Sequence, residues 1–283
     1  MKPSDPTDID IVIDASSLYA RAFFAAQRSG TDPVIAGLRS FLGLINRTKA
    51  TRAIFCWDGK SKSEKVRGEK PEGYDDHRAS FQDNIDWLWS CPQIRSLDHE
   101  ADDLVATVVY SDLISQEVYV VSGDKDLQQL MDCRKDRVVG YYCLNKKRLL
   151  TTEEVVEKWT IKRPSHIAVA LAILGDPVDG ISGIKGWGPS KVAKLFEAVP
   201  HGSTFEEAVL AIDDQIPEPL KQTFYDCLEA TILHQDAVLE SGPQKLNWRH
   251  PHELGDANLG EIREQYSKGY HEAVQVSIDD DDI

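Results

Sequence analysis

The chain has 283 residues, 41% of them hydrophobic and 28% charged, and its 32 basic and 47 acidic residues leave a net charge of −15. That composition describes a globular protein with a sizeable core. Five cysteines without C-x-x-C spacing exclude a disulfide frame, and eight histidines without an H-x-x-x-H pair exclude the usual zinc helix. The longest apolar run, "IAVALAIL" at 167–174, falls short of the ~20 residues that cross a bilayer. "MKPSDPTDID" has no signal-peptide core, so a cytosolic protein with no membrane partner is expected.

In chain order, "IDIVIDAS" (9–16) predicts a strand ending in Asp14, "ATRAIFCWDG" (50–59) one ending in Asp58, and "EVYVVSGDKD" (117–126) one ending at Asp124 and Asp126. Each is short and nearly continuously apolar, as in a parallel sheet buried on both faces. Helical patterns at 16–28, 34–48, 78–90 and 100–115 separate them, which predicts an α/β fold. Helices are also expected from Thr152, from Pro164 to Gly175, and within 203–240.

In such sheets the active crevice lies at the carboxyl ends of the strands. Three strands here end in aspartate. "DHEADDLVATVV" (98–109) starts a buried helix with Glu100, Asp102 and Asp103 in one turn, and Asp176 and Asp179 follow another apolar helix. Acids in a first turn are favourable in themselves, by about 0.3–1 kcal/mol each. Crowding so many on one edge is not, unless a bound cation offsets the repulsion. Carboxylates without His or Cys suit Mg²⁺ or Mn²⁺. Asp14, Asp58, Glu100, Asp102, Asp103, Asp124, Asp126, Asp176 and Asp179 exceed the needs of one ion. Two ions are expected, an arrangement that serves phosphodiester hydrolysis.

The net charge argues against a nucleic-acid partner only as a sum, since four of the acids form the terminal run Asp279–Asp282. "GIKGWGPSKVAKLF" (183–196) places Gly186 and Gly188 between two helical segments, with Ser190, Lys185, Lys191 and Lys194 nearby. Such a hairpin brings backbone N–H groups and a helix N-terminus to a phosphate. Lys60, Lys62 and Lys65, with Arg67 and Lys70, make 58–78 basic: a solvated loop or a clamp for a polyanion.

"VIDASSLYARAFFA", "EADDLVATVV", "VVSGDKDLQQL" and "ILGDPVDGISGIKGWGPSKVAKL", in this order, resemble the 5′-nuclease family of flap endonucleases, 5′-nuclease domains of bacterial repair polymerases and bacteriophage 5′–3′ exonucleases. The likeness runs from about 9 to about 240. It implies a PIN-like parallel-sheet nuclease core (1–160, with a basic arch at about 58–80) and a helix-hairpin-helix DNA-binding lobe (161–240). A C-terminal extension follows (241–283). It implies two Mg²⁺ or Mn²⁺ ions, a K⁺ ion in the hairpin, and cleavage of DNA to 5′-phosphate products. By position, Asp14, Asp58, Glu100 and Asp102 match the first metal site, Asp124 lies between sites, and Asp126, Asp176 and Asp179 match the second. Asp103 supports both. Arg21 matches a residue near the scissile phosphate, and Tyr74 and Arg78 match an arch element whose lysine is replaced here by Asp75.

The expected activity is that of a structure-selective, metal-dependent 5′–3′ exonuclease or flap endonuclease. The expected form is a monomer, acting on DNA with a 5′ end or flap, or on RNA–DNA hybrids. A one-ion phosphohydrolase of small molecules is an alternative, but leaves Asp176, Asp179 and the hairpin unexplained. A non-catalytic DNA-binding module would not need nine aligned acids. The acidic tail reads as a solubility device, a competitor for DNA, or a contact for a replication partner.

Overall fold

The computed structural model describes residues 8–59, 70–89, 91–96, 99–112 and 114–233. Lys60, Lys62, Lys65 and Arg67, and the extension 241–283 with its acidic run, lie outside the described residues.

The strands β1 (Ile9–Asp14), β2 (Arg52–Trp57), β3 (Gln93–Arg95), β4 (Glu117–Ser122), β5 (Val138–Cys143) and β6 (Arg148–Leu150) form one sheet in the order β3-β2-β1-β4-β5-β6. From β3 through β5 the neighbours run parallel, and β6 is antiparallel to β5. The chain order reverses at β1, which has β2 on one side and β4 on the other. A crevice opens at such a switch point, beyond the strands' carboxyl ends.

On one face, α1 (Ala15–Ser29), α2 (Pro33–Thr48) and α3 (Tyr74–Trp89) cover Ile11, Ile13, Phe55 and Trp57. Aromatic rings dominate this layer: Phe41 lies 5.0 Å from Phe55 and Tyr19 5.4 Å from Phe81. On the other face, α4 (Ala101–Tyr110) packs Leu104, Val105 and Val108 against Val12, Ile54 and Val120. The alternation along β1 follows from the pleat, which sends Ile11 and Ile13 one way and Val12 the other.

Beyond β6 come α5 (Thr152–Trp159), a 3-10 turn (Pro164–His166), α6 (Ile167–Leu174), α7 (Pro189–Glu197), α8 (Phe205–Asp213) and α9 (Glu218–Thr231). At the start of α5, Thr151 is the cap, and its hydroxyl and the Glu154 carboxylate form a reciprocal capping box. The helix expected over 100–115 stops at Tyr110, where Ser111 takes extended backbone and its hydroxyl donates to the Val108 carbonyl. α6 is buried all round and shares one apolar cluster with α4, Phe196 of α7 and Phe224 of α9. The helical lobe therefore grows from the same core as the sheet.

Candidate metal and nucleic-acid site

Asp14 ends β1 and begins α1. Its Oδ1 accepts from the Ser17 N–H at 2.9 Å, capping the helix, and its Oδ2 accepts from Ser122 Oγ at 2.6 Å. The second bond follows from register: Ile13 pairs with Val121, so Asp14 and Ser122 stand side by side. Ser122 Oγ in turn accepts from the Asp124 N–H at 2.9 Å, and Asp124 Oδ1 accepts from the Asp126 N–H at 2.9 Å. One hydroxyl thus fixes the turn that carries two further acids.

Asp58 lies just past β2. Its N–H donates to Ser16 Oγ at 3.1 Å, and its Oδ1 accepts from the Ala101 N–H at 2.9 Å. Glu100 is the residue before α4 but makes no side-chain cap bond. The cap of the acidic helix comes instead from Asp58, forty-three residues away in sequence. That bond holds Asp102 and Asp103 at the sheet edge.

The electrostatics bind these acids into one group. Burial first, then Asp58 and Asp124, push the Asp14 carboxyl up to about 7, against the hydrogen bonds from Ser122 and Ser17. Burial, then Asp14, Asp124, Asp58 and Asp126, hold Asp102 well above its ordinary value. Burial and then Asp124 push Asp126 up to about 7, with Lys125 opposing and Asp179 and Asp176 adding. Without a cation, this edge keeps protons that carboxylic acids usually lose.

Asp126, Asp176 and Asp179 form a tighter set, with carboxylate oxygens all within 4.8 Å of one another. Asp176 and Asp179 sit in the turn after α6. Asp176 is bridged to Ile181 by two backbone hydrogen bonds of 2.8 Å, and its Oδ1 accepts from the Val178 N–H at 3.0 Å. The turn closes backbone on backbone. A side-chain carbon at Gly183, where φ is +63°, would stand 2.3 Å from the Gly175 amide nitrogen. Only glycine fits there.

Lys125 donates to Asp176 Oδ2. Burial raises the Asp176 carboxyl, but the bond and charge of Lys125 and the Val178 and Asp179 N–H groups together outweigh it, so the net effect is downward. Asp126 Oδ1, by contrast, is buried with no hydrogen-bond partner. An orphaned carboxylate oxygen beside two further carboxylates, in an all-oxygen donor set, fits a hard divalent cation.

The hairpin residues lie in and just after the connection between α6 and α7. Lys185, Gly186, Ser190 and Lys194 are exposed. Gly186 has φ +82°, and Gly188 precedes α7, with Pro189 in its first turn and no side chain to cap it. The Lys191 ammonium lies 4.5 Å from the Trp187 ring centre, which directs one of the expected cations inward against indole. In α3, Tyr74 is held by aromatic packing, 4.8 Å from Phe23. Asp75 is paired with Lys70 at 3.0 Å, and the Arg78 guanidinium stands 6.0 Å over Trp57.

Arg21 opens onto a groove of about 670 Å³ between α1, α2 and the turn after β5. Arg28, Arg39, Arg47 and Lys147 also line it, with Phe24, and among the described residues no carboxylate does. On a chain of charge −15 this is a concentrated basic surface, adjoining the acidic edge at Arg21. Sequence reasoning misses it because its cations come from three separated segments. It also misses Ser16, Ser17, Ser122, Lys125 and Asn145, whose residue types are ordinary in turns.

A parallel sheet with an acidic switch-point edge and a helical lobe that adds carboxylates to it defines a resolvase-like nuclease fold. The chain matches the family profile described as 5′-3′ exonuclease, N-terminal resolvase-like domain, over residues 10–160, and it belongs to that family. It is 23% identical to a 5′-3′ exonuclease of Aquifex aeolicus (strain VF5), across 94% of this chain and 98% of that protein. With a thermostable DNA polymerase I of Thermus thermophilus it shares 27% identity, over 80% of this chain but 28% of the polymerase. Among solved structures, T5 5′-exonuclease with zinc bound superposes with a TM-score of 0.58 at 17% identity, covering 79% of this chain and 89% of that one. A bacteriophage T5 flap endonuclease with DNA and metal ions gives 0.60 at 19%, covering 80% and 89%. At these identities the structural likenesses carry the fold.

Proposed function

We propose that this chain is a divalent-metal-dependent nuclease that hydrolyses DNA phosphodiesters at or near 5′ ends and flaps, leaving 5′-phosphates. The observation that carries the reading is Asp126 Oδ1, buried and unpartnered beside Asp176 and Asp179, with Asp14, Asp58, Asp102 and Asp124 adjoining. The T5 structures with zinc, or with DNA and metal ions, support the same reading.

Asp126, Asp176 and Asp179 would hold one ion. Asp14, Asp58, Glu100 and Asp102 would hold a second, with Asp124 shared and Asp103 in support. Two Mg²⁺ or Mn²⁺ ions supply activation of the attacking water and charge stabilisation at the leaving oxygen. The chain's own residues do the rest. Ser122 and Ser17 fix the carboxylate of Asp14, and Asp58 pins α4 so that Asp102 faces the crevice. Arg21 meets the scissile phosphate with Arg78 facing it from the arch. The basic groove carries the polyanion away from the edge. Lys185, Lys191, Lys194 and the exposed backbone of Gly186 to Ser190 grip the duplex without reading its bases. A K⁺ ion on the hairpin carbonyls, a monomeric form, and a role for Lys60, Lys62 and Lys65 as a clamp belong to the same reading.

The test uses 5′-labelled duplex, flap, single-stranded and RNA–DNA hybrid substrates with Mg²⁺, with Mn²⁺ and with EDTA. Metal-dependent release of short products from the 5′ end is expected. Intact substrate in both metals overturns the reading.

A further inference from the structure

Asn145 lies in the turn between β5 and β6, in "CLNKKR". Its side-chain Nδ2 donates to the Gly123 carbonyl at 3.1 Å, and its Oδ1 accepts from Arg21 Nη1. Arg21 Nη2 also reaches the Leu144 carbonyl at 3.4 Å. The Gly123 N–H donates to Ser17 Oγ at 3.1 Å, one residue before Asp124. One amide therefore ties the guanidinium on α1 to the turn that carries Asp124 and Asp126.

The two partners fix the orientation of the amide. A carbonyl only accepts and a guanidinium only donates, so Oδ1 faces Arg21 and Nδ2 faces Gly123. Aspartate at 145 keeps the first bond and sets a second acceptor against the Gly123 carbonyl. Alanine removes both. Arg21 and Asn145 are both exposed, so without the tether a long side chain sweeps through water. The network uses two of the five N–H donors of the fork, and the others remain for a phosphate.

We propose that Asn145 is a positioning residue: it aims Arg21 at the scissile phosphate and holds it in register with the Asp124 turn. This rests on the nuclease reading above, in which Arg21 meets the phosphate. Ordering the side chain before substrate arrives lowers the barrier to the chemical step more than it tightens binding.

The experiment measures kcat and KM on a 5′-flap duplex in Mg²⁺ for wild type, Arg21→Ala, Asn145→Ala, Asn145→Asp and the double alanine variant, with melting temperatures. Asn145→Ala is expected to lower kcat about 10-fold with KM within about twofold, as misaim of a catalytic group does. Asn145→Asp falls between it and wild type. In the Arg21→Ala background the Asn145 substitution adds nothing, because its target is gone. Wild-type kcat in Asn145→Ala, with Arg21→Ala impaired, overturns the inference and leaves the nuclease reading standing. Additive losses in the double variant overturn it too, since Asn145 then acts through Gly123 alone. An unaffected Arg21→Ala removes the target and overturns it outright. No cleavage by wild type is the separate failure of the nuclease reading.

Discussion

Lys125 and Asp176 join the two halves of the acidic site: the ammonium on the turn after β4 bonds the carboxylate on the turn after α6. Asp176 is buried at 4% side-chain exposure while Lys125 keeps 42%. The ammonium therefore acts as a stand-in cation for the lobe acids, and the Lys125 side chain is itself raised in pKa: burial lowers it, but the Asp176 bond together with the charges of Asp126, Asp176 and Asp124 outweighs burial. Lys125→Met should lower the melting temperature of metal-free protein by about 3–6 °C, from roughly 1–2 kcal/mol for stranding a buried carboxylate. Mg²⁺ should restore more stability to the variant than to wild type. Equal melting of the two metal-free proteins would show that the pair holds nothing together.

The acid cluster also makes a pH prediction. Asp14 and Asp126 have folded-state values of about 7, against an ordinary 3.8. The folded protein holds these protons more tightly than the unfolded chain. Their stabilising contribution is complete below pH 3.8, declines as pH rises to about 7, and is absent above it. EDTA-treated protein should melt at falling temperature as pH is raised from about 5 to about 8, while Mg²⁺ affinity rises over the same window with proton release. Titration calorimetry in buffers of different ionisation enthalpy reads that release. A flat metal-free profile contradicts the assignment.

Asp102→Asn should cut cleavage by at least about 100-fold, since losing a ligand costs more than losing its supporting partner. DNA binding should hold or tighten. The metal-free variant should melt higher than wild type, because the repulsion of Asp102 by Asp14, Asp124, Asp58 and Asp126 is removed. Cleavage at wild-type rates in Mg²⁺ would dismiss the two-ion arrangement.

Gly183→Ala and Gly186→Ala separate two costs of replacing glycine. Both positions have positive φ, but Gly186 has nothing within 4 Å of an added carbon, whereas Gly183 collides with Gly175. Gly186→Ala should lose about 1 kcal/mol. Gly183→Ala should lose more than twice that and nearly all cleavage, because the turn holding Asp176 and Asp179 opens. Chemical denaturation curves compare them directly; equal losses would refute the backbone contact.

Asp75→Lys breaks an exposed ion pair with Lys70, worth at most about 1 kcal/mol. It places a cation one turn from Arg78. Cleavage of a flap substrate should match or exceed wild type. A clear loss of kcat/KM would mean that the Lys70–Asp75 contact orders the arch base.

The strands ending in Asp14, Asp58 and Asp124 are readable because strands buried on both faces are continuous apolar runs, and acids beyond them stand out. β3 has three residues, and β6 has three with an antiparallel course, too short for any periodicity. β5 escapes notice although "VVGYYC" is β-branched and aromatic, because Gly140 interrupts it; the gap is filled by Tyr119 from β4. Asp10 shows the limit for the site. It is as buried as any candidate ligand, yet lies at the opposite end of β1, bonded to Arg52 at 2.5 and 2.7 Å and to the Ser115 N–H at 2.6 Å. Residue type cannot separate it from Asp14; register does. The cap of α4 by Asp58 is hidden for the same reason, being a bond between distant segments.

The apolar cluster beneath α4 does not stop where the family profile does. It passes from Val12 and Val120 through Ile167 and Ile173 to Phe224 and Leu228. A fragment ending at residue 160 would bare the lobe-facing part of that cluster to water. The stretch that the family profile covers is thus smaller than the body that folds. Grafting the lobe of a relative onto this sheet would therefore require repacking that shared cluster, α4 and α6 included.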